Sequence, residues 1–370
     1  MMKQFVWCRL ILGRWAGWYA GILISAASSC VVADDVWRLQ EKLVSASLRG
    51  LSVVDENLVW ISGSAGTVLK SDDGGQQWKN VSVPGAGDLD FRDVHAFDSQ
   101  QAVVMSAGQP AKFYWTGDGG VAWKLAFEHS DTRTFFDSLA FWDSRNGVAM
   151  SDPVEGRIVL LETSDAGRSW RQIAADSSPV VLDGEAGFAA SGTNMAVHGG
   201  RLFIALGGGR EGENHPDSRI LVREQNANRW TVAMTPIARN ASSGIFSIAF
   251  DNRCRGVAVG GNYLKPELAG GNVALSDDGG MSWRRCSGQP PRGYRSCVAS
   301  FSSQGRQGWI AVGPHGTDLS LDGDNWTAAS DSGFHVVAFA ADGITGWAAG
   351  SDGRIARWVG VDRGGQRPGR

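Results

Sequence analysis

Cysteine is scarce in this chain, and none of it is spaced for a metal. Of five cysteines in 370 residues, Cys8 and Cys30 fall within the first 33, which leaves Cys254, Cys286 and Cys297. An odd number with no C-x-x-C pair argues against a zinc site or a disulfide framework, and allows one bridge whose pair the spacing does not choose. Excess positive charge is also lacking. The 35 basic residues face 38 acidic ones, a net charge of −3, which excludes a nucleic-acid partner held by phosphate neutralisation. No long stretch repeats its apolar residues every 3.6 positions, so helices are not expected. Missing too are G-x-x-x-x-G-K-[ST], H-E-x-x-H, G-x-S-x-G and EF-hand loops, and His95, His129, His198, His215, His315 and His335 show no metal-ligand spacing. Gly207 to Gly212 matches G-x-G-x-x-G only formally. His215-Pro216 and a short strand follow it, where a dinucleotide site needs a helix. No cofactor and no metal are expected.

What is abundant is glycine, with 50 residues, and tryptophan, with 16, in a chain that is 43% hydrophobic. Such a composition supports a sizeable core, and without a G-X-Y period it describes a turn-rich β protein rather than collagen. The start of the chain reads differently. Lys3, Arg9 and Arg14 precede an apolar stretch from Trp15 to Ala27, and Val31-Val32-Ala33 offers a small-residue cleavage site before Asp34-Asp35. Residues 1–33 are therefore expected to be an export signal, too short for a comfortable membrane span, with Cys30 a candidate for lipidation and a retained anchor as the alternative. Removing them leaves 32 basic and 38 acidic residues, a net charge of −6. The mature chain is expected in the periplasm or outside the cell, as a monomer.

One motif recurs along the rest: Ser/Thr-x-Asp-x-Gly-x-x-Trp. Its copies place Asp73 and Trp78, Asp118 and Trp123, Asp165 and Trp170, and Asp278 and Trp283. Degraded copies end at Trp230 and Trp326, so successive tryptophans lie 45, 47, 60, 53 and 43 residues apart. Two alternating strands precede each position, and seven such sets fill residues 34–360, with a disordered tail expected over 361–370. Short-stranded units cannot bury both faces alone and must stack, which gives an all-β, seven-bladed β-propeller. The last set lacks a fourth strand, whereas the orphan Trp37 to Gln40 resembles one. It is expected to complete blade seven and close the ring.

The motif is the Asp box known from bacterial neuraminidases. Its Asp accepts backbone N–H bonds in its own turn, its Gly supplies positive φ, and its Trp wedges between sheets. Chemistry repeated once per blade is scaffolding, so Asp73, Trp78, Asp118, Trp123, Asp165, Trp170, Asp278 and Trp283 are read as structural. The blades differ on one rim. With strands lettered a to d from the axis outward, the a–b turns and Asp boxes share one rim. All the large insertions fall on the other: Glu128 to Phe136, Ala174 to Gly192, Gly207 to Ser218 and Gly260 to Gly271. Insertions gathered on one rim mark a binding face. Around the channel mouth this reading places Arg92, Asp137, Phe246, Arg295 and His335 at the starts of strands a. Tyr263 and Lys265 come from an insertion, with Tyr294 and His315 nearby. The binding set is Arg92, Asp137, Tyr263, Lys265, Tyr294, Arg295, His315 and His335, suited to a protein segment or a polar ligand such as carbohydrate. A glycoside hydrolase is the rival reading, with Arg49, Arg92 and Arg295 as an arginine cluster and Tyr294 or Tyr263 beside Asp137.

Asp boxes on a single exported propeller resemble the photosystem II assembly/stability factor family, and more closely its bacterial exported branch. The stretches carrying the likeness are Phe135-Phe136-Asp137, Asp152-Pro153, Gly187 to Gly192, Gly244-Ile245-Phe246-Ser247, Gly293 to Ser296 and Gly333-Phe334-His335. They span blades two to seven. The resemblance implies a non-enzymatic role, binding a membrane-protein intermediate on the exported side of the membrane. The arginine-rich patch suggested as the contact surface in photosynthetic members is represented here only by scattered arginines.

Overall fold

The computed structural model describes residues 36–303 and 305–360; the expected export signal, Cys30 and the tail lie outside them. Apart from two short 3-10 turns, Ala175–Ser177 and Ser351–Gly353, the regular elements described are strands. They form seven antiparallel sheets, and strands a are Leu48–Val53, Asp90–Ala96, Phe136–Phe141, Met195–His198, Ser243–Phe250, Cys297–Ser303 and Val336–Phe339. The arrangement is a seven-bladed β-propeller.

Burial follows position in the blade. In blade one, strand b (Val59–Gly63) is buried at every residue, whereas strand d (Lys79–Asn80) is exposed. A strand covered by sheets on both faces needs apolar residues on both, so the b strands read as continuous runs rather than alternations. The cores lie between blades: Trp60 and Val68 of blade one pack with Phe91 and Val104 of blade two. Trp60, Trp309 and Trp347, all on b strands, are at most 1% exposed.

The Asp boxes are hydrogen-bonded hairpins. Ser71 Oγ donates to Asp73 Oδ1 at 2.9 Å and accepts the Gly75 N–H at 2.9 Å, while the Gln77 N–H bonds Asp73 Oδ1 at 2.9 Å. Thr116–Asp118, Thr163–Asp165 and Ser276–Asp278 repeat the pattern. So does Ser320–Asp322, despite its lost residue. The four full boxes are each tied to an a–b turn on the same rim, as when the Gly74 N–H donates to Asn57 O and the Gly119 N–H to Gln100 O, both at 2.9 Å. The box tryptophans lean on the preceding blade: Trp78 meets Trp347 edge-on at 5.4 Å, and Trp123 donates through Nε1 to Val81 O at 2.8 Å.

Blade seven is built from both ends of the described chain. Trp37–Leu39 pairs with Ile355–Trp358 as its outermost strand, and Trp37 Nε1 donates to Thr317 Oγ1 of blade six at 3.0 Å. Blade five has two extra strands on its axial edge. Glu185–Ala186 pairs with Gly207–Gly208, which pairs with Gly244 at the start of strand a. This contact needs glycine, because a Cβ on Gly244 would stand 2.3 Å from Gly207 Cα. The added strands belong to two of the insertions and reach across the channel mouth.

Candidate functional site

A cavity of about 510 Å³ opens at that mouth. All four insertions reach it: Phe135 from the first, Gly184 to Ala190 from the second, Gly208 and Gly209 from the third, and Tyr263 from the fourth. Strands a add four more wall residues through one repeated irregularity, beside Asp152 of a strand b and Ala241, Tyr294, Pro314 and His335 of the connections. In blade one, Leu48 pairs with Gly63 and Gly50 with Ser62, so Arg49 is bulged out of register. Blade two skips Arg92, blade three Asp137 and blade five Phe246 in the same way. A bulge leaves one residue unpaired and re-aims its side chain. All four bulged residues line the cavity.

One wall is aromatic. Phe188 stacks on Phe246 with centroids 4.0 Å apart, Tyr294 meets Phe246 edge-on at 4.7 Å, and Tyr263 lies 6.2 Å from both phenylalanines. Phe246 and Tyr294 are buried, and Tyr263 is 45% exposed. Burial pushes the Tyr294 hydroxyl pKa up, the opposite of what a phenolate nucleophile needs.

Charge is divided across the space. Arg49 Nη1 donates to Ala190 O at 3.1 Å, and Arg92 donates to Ala189 O and Asp90 Oδ2, both at 2.7 Å. Burial and the neighbouring Arg92 lower the pKa of Arg49. His335 accompanies them, its ring nitrogen Nε2 2.9 Å from Ser351 Oγ. Burial, then Arg49, Arg92 and Arg354, depress its pKa to about 3, so the imidazole is neutral at pH 7. Two acids face the same cavity. Asp137 is 1% exposed, and burial followed by repulsion from Asp152 holds its carboxyl well above the ordinary range, with Arg92 opposing. Burial raises Asp152 to about 6, against one hydrogen bond from the Gly187 N–H at 3.2 Å.

Of the eight residues expected at the mouth, Arg92, Asp137, Tyr263, Tyr294 and His335 line the cavity. Lys265 and His315 are exposed on loops outside its lining. Arg295 corrects the sequence reading. It is fully buried, bonds Asp318 through Nε at 2.8 Å and through Nη2, and bonds Tyr294 O through Nη1 at 2.8 Å, so it is a structural cation outside the cavity lining. Arg49 takes the place expected of it. Asp152, Phe188 and the axial strands were absent from the expected set. Asp152-Pro153 and the Gly187 to Gly192 run were visible only as family-like stretches, with no chemistry attached. The described cysteines are free thiols, and among the described residues no group of three or more His, Cys, Asp or Glu is placed to hold a metal ion.

No protein-family model matches the chain. In sequence it is similar to the photosystem II assembly lipoprotein Ycf48 of Synechococcus sp. (strain CC9902), 23% identical over 281 residues, covering 67% of this chain and 77% of that protein. Among solved structures, YCF48 bound to D1 peptide superposes with a TM-score of 0.60 at 17% identity, over 88% of this chain and 97% of that one. YCF48 from Cyanidioschyzon merolae gives 0.59 at 16% identity, over 87% and 98%. The Neurospora crassa Pan2 WD40 domain gives 0.59 at 11% identity, over 90% and 98%. A WD40 domain superposes as well as the second YCF48, so these likenesses speak for the propeller fold.

Proposed function

We propose that this protein is an exported, non-enzymatic assembly factor that holds a segment of an envelope membrane protein in the channel-mouth cavity. The observation that carries the reading is the convergence of four insertions and four bulged residues on that one cavity. A wall of aromatic side chains beside two arginines suits a polypeptide, whose carbonyls and carboxylates take guanidinium donors while its side chains stack. Similarity to a protein named as an assembly lipoprotein, and a fold shared with a propeller bound to a peptide, support the same reading. The basic, apolar start of the chain supports export, and no photosystem partner is carried over.

A photo-crosslinking amino acid at Tyr263, which is half-exposed at the cavity, tests this in living cells. The expected result is one crosslinked membrane-protein segment, lost when Arg49 and Arg92 are both changed to Ala. No crosslink, or one indifferent to those changes, overturns the reading.

The two acids favour a second reading, a glycoside hydrolase, because neighbouring carboxyls that burial holds above the ordinary range can supply a general acid. It requires turnover of a fluorogenic glycoside that is lost in Asp137→Asn. A broad panel without turnover removes it.

A further inference from the structure

We infer that the corner of the cavity formed by Asp137 and Asp152 is a cation subsite, taking the ammonium or guanidinium of a Lys or Arg side chain on the bound segment. This deepens the proposed function and rests on it. The Asp137 side chain is 1% exposed, and its Oδ2 accepts no hydrogen bond. Asp93, the other buried acid on a neighbouring strand a, is treated quite differently: its oxygens take the Val94 and Leu139 N–H groups, each at 2.8 Å. A buried carboxyl without partners is costly, and most are paired.

The cations nearby are already engaged elsewhere. Arg92 spends its Nε on Asp90 and an Nη1 bond on Ala189 O, and makes no ion pair with Asp137. One glycine lets the chain pass close against this carboxyl. A Cβ at Gly187 would lie 2.6 Å from Asp137 Oδ2, so any larger residue would press on the carboxyl that faces the cavity. Two carboxyls with a single backbone donor between them fall short of a metal-ion ligand set, which takes more oxygens. They match a cationic side chain, whose hydrogen bonds would satisfy both and displace the proton that burial favours on them. The aliphatic stem of such a side chain would lie along the aromatic wall, where Tyr263 adds a cation–π surface.

Selection of random displayed nonapeptides on the purified protein tests the assignment. Enriched peptides are expected to carry Lys or Arg at one fixed position, and norleucine there should weaken Kd about tenfold or more, as for loss of a charged hydrogen bond. In the Asp137→Asn/Asp152→Asn variant that penalty should shrink to within about twofold. Enriched peptides without a basic residue, or an equal norleucine penalty in the variant, overturn the cation subsite and leave peptide binding standing. A selection that enriches nothing overturns peptide binding itself. Because norleucine changes only the peptide, its result holds even if the variant folds poorly.

Discussion

Arg295 and Asp318 form an ion pair inside the molecule, with Arg295 Nε donating to Asp318 Oδ2 at 2.8 Å and their side chains 0% and 1% exposed. Arg292 donates to both oxygens of the same carboxylate at 2.9 Å. The pair lies only a few residues from the cavity-lining Tyr294, yet it joins blade six to the approach to its own first strand. Removing Arg295 leaves the buried Asp318 carboxylate with Arg292, whose side chain is 42% exposed, as its remaining counter-ion, and empties a fully buried site.

Arg295→Ala should therefore cost stability, by about 2–4 kcal/mol with Arg292 still pairing Asp318, measured by urea unfolding. Arg49→Ala and Arg92→Ala, at partly buried bulges whose anchors are carbonyls of the inserted loop and Asp90, should cost far less than Arg295→Ala while abolishing partner crosslinking at Tyr263. A stable Arg295→Ala protein that loses only the crosslink would return Arg295 to the binding set.

Ring closure can be tested at Trp37. It packs 5.6 Å from Trp358 and 5.3 Å from Phe334, and bonds blade six through its indole nitrogen. Trp37→Ala should cost roughly 3–5 kcal/mol, and amide exchange should quicken first in Ile355–Trp358. Uniform loss of protection across all blades would contradict a seam at this position.

Gly244→Ala should detach the axial strands. Gly244 has φ of +155°, and its added methyl would collide with the Gly207 backbone. The expected result is faster proteolysis or amide exchange over residues 184–190 with the rest of blade five protected. Peptide capture should fall in parallel. Unaltered protection of that segment would mean the strands are held by Glu185, whose side chain pairs with Arg219, and not by the glycine contact.

Asp152 links stability to pH. Its carboxyl stands at about 6 in the fold against an ordinary 3.8, raised first by burial. The folded state therefore binds its proton more tightly, and that stabilisation is complete below about pH 4 and lost as pH rises through about 6. Asp152→Asn should match the wild type at pH 4 and exceed it at pH 7, by on the order of 1–3 kcal/mol. His95, at about 4, and His335, at about 3, run the other way, losing stability as pH falls below 6.5. The difference between variant and wild type cancels them. A difference independent of pH would show that Asp152 is not titrating in this range.

The blades were legible because what makes them is local. Ser71, Asp73 and Gly75 bond one another within five residues, so the motif names its own hairpin wherever it stands, and even the shortened copy at Ser320 keeps the geometry. The rim carrying the insertions followed from strand alternation alone. Asp152 was not legible as a site residue, because nothing in Asp152-Pro153 indicates that the chain returns it beside Asp137 at the edge of the cavity.

Sequence alone thus determined the seven-fold count, the hairpins and the face on which extra segments gather, since each depends on contacts among near neighbours or on strand direction. Only the tertiary structure decided which arginine lines the cavity. Arg49 and Arg295 are the same residue type near the starts of strands a, but a register slip turns Arg49 towards the cavity, whereas Asp318, brought close by the fold of blade six, holds Arg295 inside. The outcome rests on a long-range desolvated ion pair and a one-residue bulge, neither of which leaves a period in the sequence.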